Sequence, residues 1–390
     1  MHYFEGYRCG LCKREVPAGS SAGECPACSG PLLGVYDLGL LRRHLDRHDF
    51  FGPGEGVWRF ASLLPATTCR TTLGEGNTPL LRAGRLGKGI ELTNLFIKDE
   101  SMNPTGSFKA RGMAVAVSRL HDLGISEAAI PSAGNAGLAL AAYGAAAGID
   151  RTVFIPSETP YGVAQECRAY GADVEIVEGI LPDAARKMEE IIEGTNIVRL
   201  TTFREPCRVE GKKTMAFEIE AEARGVHPDW IVFPTGGGTG VVAIWKAYRE
   251  LEELGWLEHA KPHIAVVQAS GCAPIVRAFE RGERTAAPWE DPHTCACGIR
   301  VPSTRADRLI LDVLYESDGA AVAVGDDEII TACREIASTE GVFPSPEGAA
   351  SWAGVKALLH SGTIARSARI VIFNTAGGSR YPFLLEPFTR

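Results

Sequence analysis

From about residue 94 to residue 373 the chain repeats one pattern: a short apolar run, a loop, then a stretch with helical periodicity. Strands are expected at 95–98, 128–130, 151–155, 174–177, 196–200, 230–233, 263–268 and 369–373. Helices are expected between them at 110–123, 138–147, 184–193, 213–224, 241–254, 326–339 and 349–359. In the first of these, Met113, Ala116, Val117 and Leu120 recur at helical spacing on one face. Strands joined by helices fold as mostly parallel sheets, so the fold class is α/β. The region is longer than most single domains of roughly 50–250 residues. Two α/β lobes sharing a cleft are therefore expected. Ligands in such folds bind outside the C-terminal ends of the strands.

Three loops at such positions carry chemistry. Residues 99–109 (DESMNPTGSFK) place Lys109 in the first turn of a helix, where the positive dipole end opposes protonation of an amine. A lysine facing the cleft there is a Schiff-base nucleophile, although one at a helix start reads equally as a solvated surface group. The second loop is Ser132, Ala133, Gly134, Asn135, Ala136 and Gly137. Its small residues allow close backbone approach, and the helix that follows offers N–H groups to an anion. It also reads as a plain capped strand–helix turn. The third loop, 234–240, holds Gly236, Gly237, Gly238, Thr239 and Gly240 before an amphipathic helix marked by Val241, Ile244, Trp245, Tyr248 and Leu251. Its glycines let backbone amides converge on one phosphate. With Val241 at the third glycine position it is not a dinucleotide fingerprint, and it lacks the Gly-Lys-Ser/Thr ending of a Walker loop. A lysine for an aldehyde and a nest for a phosphate together point to pyridoxal 5'-phosphate.

The N-terminus carries a different signal. Of the 11 cysteines, Cys9 and Cys12 form one CxxC pair and Cys25 and Cys28 another. Each pair sits on one tight turn and spans one edge of a tetrahedron, which is the pattern of a four-cysteine structural zinc ribbon. A redox CxxC would be expected inside a strand–helix unit, and neither pair lies in one. His293, Cys295 and Cys297 form a looser cluster that reads as ordinary sequence. Ribbons also bind nucleic acid, but here Arg8, Lys13 and Arg14 are offset by Glu5, Glu15 and Glu24. The whole chain is acidic, with 40 Lys and Arg against 48 Asp and Glu and a net charge of -8. It has no general attraction for nucleic acid or anionic membranes. No apolar run approaches the ~18–20 residues that cross a bilayer. The start lacks the basic and apolar regions of a secretory signal, so a cytoplasmic enzyme is expected.

The segments GEGNTPL (74–80), KDESMNPTGSFKARG (98–112), SAGNAG (132–137), RVEGKKTMAFEI (208–219), PTGGGTG (234–240) and PEGAASWAG (346–354) resemble the threonine synthase-like group of fold-type II pyridoxal-phosphate enzymes. The resemblance implies a two-lobed, tryptophan synthase β-like α/β fold with an N-terminal ribbon. Its divisions would be a ribbon at 1–36, a large cofactor lobe at 37–109 and 205–390, and a smaller lobe at 110–204. By resemblance, Lys109 would hold the cofactor as a Schiff base, flanked by Phe108. Asn135 would meet its phenolic oxygen, Gly236 to Gly240 its phosphate, and Thr375 its pyridine nitrogen. Ser132, Ala133, Gly134 and Ala136 would line the place of the amino-acid substrate. A homodimer is implied as well.

The implied reaction is that of a lyase of amino-acid biosynthesis, converting O-phosphohomoserine and water to threonine and phosphate. Several positions depart from the group: Ala133 and Ala136 stand for hydroxyl residues, and Thr201 to Glu205 replace an Asn/Ser-rich segment. Thr239 stands for Asn, and Ala110 for the usual Asp. These changes leave the cofactor chemistry intact and bear on the substrate. Arg111, Arg204 and Lys212 are candidates for holding the leaving phosphate, though each reads equally as a surface charge. A serine/threonine ammonia-lyase or β-replacement enzyme using the same lysine is the alternative. A nucleic-acid-binding ribbon on an inactive enzyme body is a third reading, disfavoured by the net charge and the intact lysine.

Overall fold

The computed structural model describes residues 3–65, 68–159, 161–222 and 227–384. It divides into two compact units, one of Met1–Asn77 with Asn103–Thr214, the other of Thr78–Met102 with Met215–Arg390.

The first unit contains two sheets. A small antiparallel sheet has the order Glu15–Pro17, Phe4–Cys9, Leu32–Tyr36. A parallel sheet has the order Asp173–Val177, Asp150–Pro156, Glu127–Pro131, Val198–Arg199. Successive side chains on a strand point to opposite faces, and here both faces are covered. Ala128, Ile130, Val153 and Ile155 join one core with residues of the helices Lys109–Asp122 and Asn135–Ala147. Ala129 and Phe154, one step out of phase, pack instead with Ala184, Met188 and Ile192 of the helix Leu181–Ile192. A parallel sheet covered on both sides reads as continuous apolar runs, as these strands do.

The expected single apolar face of the Lys109–Asp122 helix proves too narrow. Ala110 through Ser118, and Leu120, are all buried. The reason is a second helix, Cys207–Lys212, which packs against it and which the sequence did not signal. The backbones meet at glycines. A Cβ at Gly211 would lie 2.3 Å from the carbonyl oxygen of Arg111, and one at Gly112 would lie 2.5 Å from that of Arg208.

The second unit holds a six-stranded sheet ordered Ala320–Val324, His263–Ala269, Trp230–Pro234, Ile370–Asn374, Leu95–Asp99, Leu80–Arg82. All neighbours are parallel except the edge strand Leu80–Arg82. Its core joins Ile97, Val232, Ala265, Val267 and Ile372 to Ala350, Trp352 and Ala353 of the helix Pro346–His360. Lys98 is buried within the sheet, its Nζ 2.9 Å from Glu218 and 3.3 Å from Glu222. The strand Ala320–Val324 was not expected, because its AAVAV run is too rich in alanine to stand out. The helix expected at 213–224 is found as Thr214–Glu222, its last two positions lying outside the described residues. No helix among the described residues is long and apolar enough to cross a membrane.

The unit boundaries differ from those implied by resemblance. Residues 37–77, 103–109 and 205–214 group with the ribbon and the smaller sheet. Specific bonds tie them there. Tyr143 donates to Glu75 (2.8 Å), Thr71 N–H to Ser118 Oγ (2.9 Å), and Thr68 N–H to Asp122 (2.8 Å). The helix crossing predicts that Gly211→Ala destabilises the protein by about 1–3 kcal/mol, since backbone atoms have to separate to admit one methyl. A lowered urea midpoint at unchanged slope is the expected result.

Candidate active site

Lys109 opens the Lys109–Asp122 helix, with Phe108 as its N-cap residue. A turn sets up this start: Gly106 N–H donates to Asn103 O (2.7 Å), with Gly106 at φ 65. Asn103 is itself buried and its Oδ1 accepts from Gly76 N–H (3.0 Å), which anchors the loop to the GEGNTPL segment. Lys109 is half-buried, and its Nζ lies 4.2 Å from the centroid of the Phe108 ring. Ser107 beside it is fully buried, and its Oγ has no hydrogen-bond partner within the chain. Buried hydroxyls are ordinarily satisfied, so an orphan next to this lysine fits a polar ligand there.

The 132–137 loop lies in the same unit and leads into the Asn135–Ala147 helix, which packs against the Lys109 helix. Asn135 is the first helical residue and Gly134 the N-cap, at φ 157 and ψ -119. Ser132 Oγ accepts from the N–H groups of Gly134 (3.2 Å) and Gly137 (2.9 Å), so this hydroxyl fastens the turn. Ala133 and Ala136 are half-buried. Glu75 lies fully buried, and burial pushes its carboxyl up against hydrogen bonds from Leu73, Tyr143 and Thr72.

The other expected cofactor residues belong to the second unit. Gly236 to Gly240 follow the strand Trp230–Pro234, and Thr375 follows the strand Ile370–Asn374. These strands are parallel neighbours, so both groups stand at one edge, the C-terminal one. Gly238, at φ 86, is the N-cap of the helix Thr239–Glu253. A Cβ at Gly238 would lie 2.2 Å from Ile310, and one at Gly240 would lie 2.3 Å from the Phe233 ring. Thr304 Oγ1 donates to Gly237 O (2.9 Å) and Gln268 Nε2 to Thr235 O (3.1 Å), which holds the loop from beneath. Thr239 and Thr375 are both buried. Next to Thr375, Asn374 donates to Asp99 (2.8 Å), while its Oδ1 is a second buried acceptor without a partner in the chain.

The three basic candidates separate clearly. Arg204 is ion-paired with Glu24 (3.4 Å) and with Glu189, so it braces the ribbon side of its unit. Arg111 is fully buried and donates to Thr214 (3.0 Å). Lys212 is fully buried with its Nζ 5.7 Å from the centroid of the Phe108 ring, and so shares surroundings with Lys109. Arg208, one turn earlier on the same helix, is also buried; burial pulls its guanidinium down to about 10, against the attraction of Glu205. Arg208 had no signal of its own beyond lying in the RVEGKK segment.

The four N-terminal cysteines come together. Their sulfurs lie within 4.8 Å of one another, with Cys9 to Cys28 and Cys12 to Cys25 each at 3.5 Å. Lys13 and Ser29, at φ 65 and 53, form the left-handed corners of the two turns. Burial raises the Cys25 thiol, but N–H groups of Ala27 and Cys28 and the neighbouring thiols outweigh it and draw it down to about 7. Cys28 moves the other way: the N–H of Gly30 lowers it, but the Cys12, Cys9 and Cys25 thiols outweigh that and push it up to about 12, so the cluster titrates as a group. His293, Cys295 and Cys297 are not among the clusters of ligand spacing in the described residues. Glu220, His227 and His259 are, but the two imidazoles stack at 3.8 Å and point at one carboxylate oxygen. His259 Nε2 is at hydrogen-bond distance from that oxygen (3.0 Å), whereas His227 Nδ1 lies 2.8 Å from it without hydrogen-bond geometry.

A lysine at a helix start, strand-end loops at the C-terminal edge of a parallel sheet, and orphaned buried polar atoms beside both define a cofactor-dependent α/β enzyme. The chain belongs to the pyridoxal-phosphate-dependent enzyme family, whose signature matches residues 71–376. It is 36% identical to threonine synthase of Methanocaldococcus jannaschii, over 91% of this chain and 88% of that protein. It is 35% identical to threonine synthase of Methanosarcina acetivorans, over 94% and 90%. The fold matches the processed form of threonine deaminase isoform 2 from Solanum lycopersicum with a TM-score of 0.66 at 20% identity, covering 80% of this chain and 88% of that one.

The close approach at Gly240 predicts that Gly240→Ala lowers the thermal midpoint, at a cost of about 1–3 kcal/mol. Phe233→Leu in the same chain is expected to recover part of the loss, and a double-mutant cycle measures the coupling.

Proposed function

We propose that this chain catalyses the threonine synthase reaction, releasing phosphate from O-phosphohomoserine and adding water to give threonine. The observation that carries this reading is the identity of 35–36% with threonine synthases over 91–94% of the chain. Pyridoxal phosphate, when bound, supplies an electron sink for the charge left at Cα when a proton is removed. Lys109 is the residue that would hold the cofactor's aldehyde carbon. The helix dipole at its position disfavours an ammonium, so the freed amine takes the Cα proton as general base. Phe108 limits where the lysine side chain can swing.

Amides of Gly236, Gly237, Gly238, Thr239 and Gly240, at a helix N-terminus, hold the cofactor phosphate. Asn135 meets the phenolic oxygen. Thr375 would offer the pyridine nitrogen a neutral hydroxyl, which would suit elimination and replacement better than transamination. Ser132, Ala133, Gly134 and Ala136 border the substrate, with the Ser132 hydroxyl shaping the loop. The four cysteines Cys9, Cys12, Cys25 and Cys28 hold a structural zinc ion. The enzyme acts as a cytoplasmic homodimer.

Purified protein supplied with O-phospho-L-homoserine is expected to release phosphate and threonine in equal amounts. Cofactor-loaded protein that releases none would overturn the reading in favour of an ammonia-lyase or β-replacement activity. Lys109→Ala is expected to abolish turnover; full activity in that variant removes the Schiff-base role. Replacing Cys9 and Cys12 together by serine is expected to abolish zinc binding, measured by elemental analysis, and to lower the thermal midpoint. The fraction that remains folded keeps its activity.

A further inference from the structure

In the second unit three ligand-type side chains converge away from the cofactor residues. Glu220, His227 and His259 each place one donor atom within 4.8 Å of the others. They come from separate segments. Glu220 lies on the helix Thr214–Glu222, His227 just before the strand Trp230–Pro234, and His259 between the helix Thr239–Glu253 and the strand His263–Ala269. Those strands are parallel neighbours, and each histidine precedes one of them. The cluster therefore stands at the N-terminal edge of the six-stranded sheet, opposite the edge that carries the glycine loop and Thr375.

The tautomer of His259 sets the chemistry. Its Nδ1 lies 2.6 Å from the carbonyl oxygen of Ala260, which only accepts, so Nδ1 carries the hydrogen. In the neutral ring Nε2 is then a lone pair, yet it stands 3.0 Å from Glu220 Oε2. His227 Nδ1 lies 2.8 Å from the same oxygen without hydrogen-bond geometry. A negative oxygen facing two ring nitrogens calls for positive charge between them. One added proton serves one nitrogen, and protonating both rings would stack two cations 3.8 Å apart. One divalent cation serves both nitrogens and the oxygen together.

We propose that Glu220, His227 and His259 form a binding site for one divalent cation of the zinc class. Two imidazole nitrogens and a carboxylate oxygen are a regular zinc donor set, with a fourth position left for water. Ligand atoms on a tetrahedral zinc stand about 3.3 Å apart. The separations of 2.8 and 3.0 Å therefore need to open only slightly. The rings already diverge by 23°, and they fan further as an ion enters, because each lone pair lies in its own ring plane. Both histidines sit on connecting segments rather than in a helix or strand, which permits that rotation. The outer contacts suit ligands: Tyr248 donates to Glu220 Oε1 (2.9 Å), and the Ala260 carbonyl orients His259. Glu220 is buried, while His227 and His259 keep 11% and 17% of their side-chain surface, which leaves an ion and its water a way in. The ion ties the helix Thr214–Glu222 to the entry of the strand that leads to the glycine loop.

The test is the zinc content per chain, by elemental analysis of the full-length protein equilibrated at micromolar free zinc. His227→Gln and His259→Gln, each with an unchanged circular dichroism spectrum, are expected to hold one zinc ion fewer than the unaltered protein. Equal zinc content in all three proteins overturns the proposal. Reading the difference keeps the result separate from the ribbon, whose cysteines are the same in all three. A second measurement needs no substitution. In the unaltered protein carrying isotope-labelled histidine, added zinc is expected to shift two of the nine imidazole signals in the nuclear magnetic resonance spectrum. Fewer than two responding signals overturn the proposal and leave a shared proton as what holds the cluster together.

Discussion

The burial of a charged helix organises the first unit. Every residue of Cys207–Lys212 is buried, including Arg208, Glu210 and Lys212, and Lys213 follows with no exposed surface. Buried charges are tolerated only when paired and hydrogen-bonded, and the partners come from distant parts of the chain. Glu210 is met by Lys213 and by Gly34 and Tyr36 of the third ribbon strand. Lys213 lies over the Tyr36 ring at 4.2 Å. The ribbon is therefore not an appended domain. Its last strand supplies the polar groups that let Glu210 stay inside, and the cysteine cluster holds the strands of that small sheet together. The four-cysteine sheet and the helix that Lys109 begins are thus linked through one helix, which packs at Gly211 and Gly112 against the latter.

In the second unit the organising constraint is the parallel sheet. Side-by-side strands place the glycine loop and Thr375 at one edge without any bond between them. What remains is to hold the loop still, and buried polar groups do that. Gln268 bridges Thr235 O and the N–H groups of Ile275 and Val276, while Thr304 takes the carbonyl of Gly237. Gly238 and Gly240 are required for different reasons, one for a left-handed corner, the other for close packing on Phe233. The loop is consequently rigid by packing as well as by sequence.

Much of this was legible beforehand. Strand–loop–helix periodicity located eight of the strands, and Lys109, Asn135 and Gly238 to Gly240 stand at helix starts where the loops had placed them. The CxxC pairs predicted a four-sulfur cluster, and the sulfurs converge. The failures were of another kind. Arg204, Arg111 and Lys212 carried equal weight in the sequence, yet one is a brace, one is bonded to Thr214 and one lies over the Phe108 ring. The Cys207–Lys212 helix went unseen because charge is the usual mark of a solvated face. The compact units divide the chain differently from the expected lobes, with bonds such as Tyr143 to Glu75 joining segments far apart in the chain.

By itself, then, the sequence determined what depends on near neighbours. Which runs extend or coil, where glycine permits a turn, which residue begins a helix and which thiols share a knuckle are all settled within a few residues. The tertiary structure alone decided what depends on burial. Whether a lysine is solvated or desolvated, whether a glutamate is paired, and whether a glycine is a hinge or a contact follow from what the fold brings against it. Lys212 shows the difference in one residue. In the sequence it is a charge beside another charge; in the structure it is buried, and Gly112 makes room for its amine over the Phe108 ring.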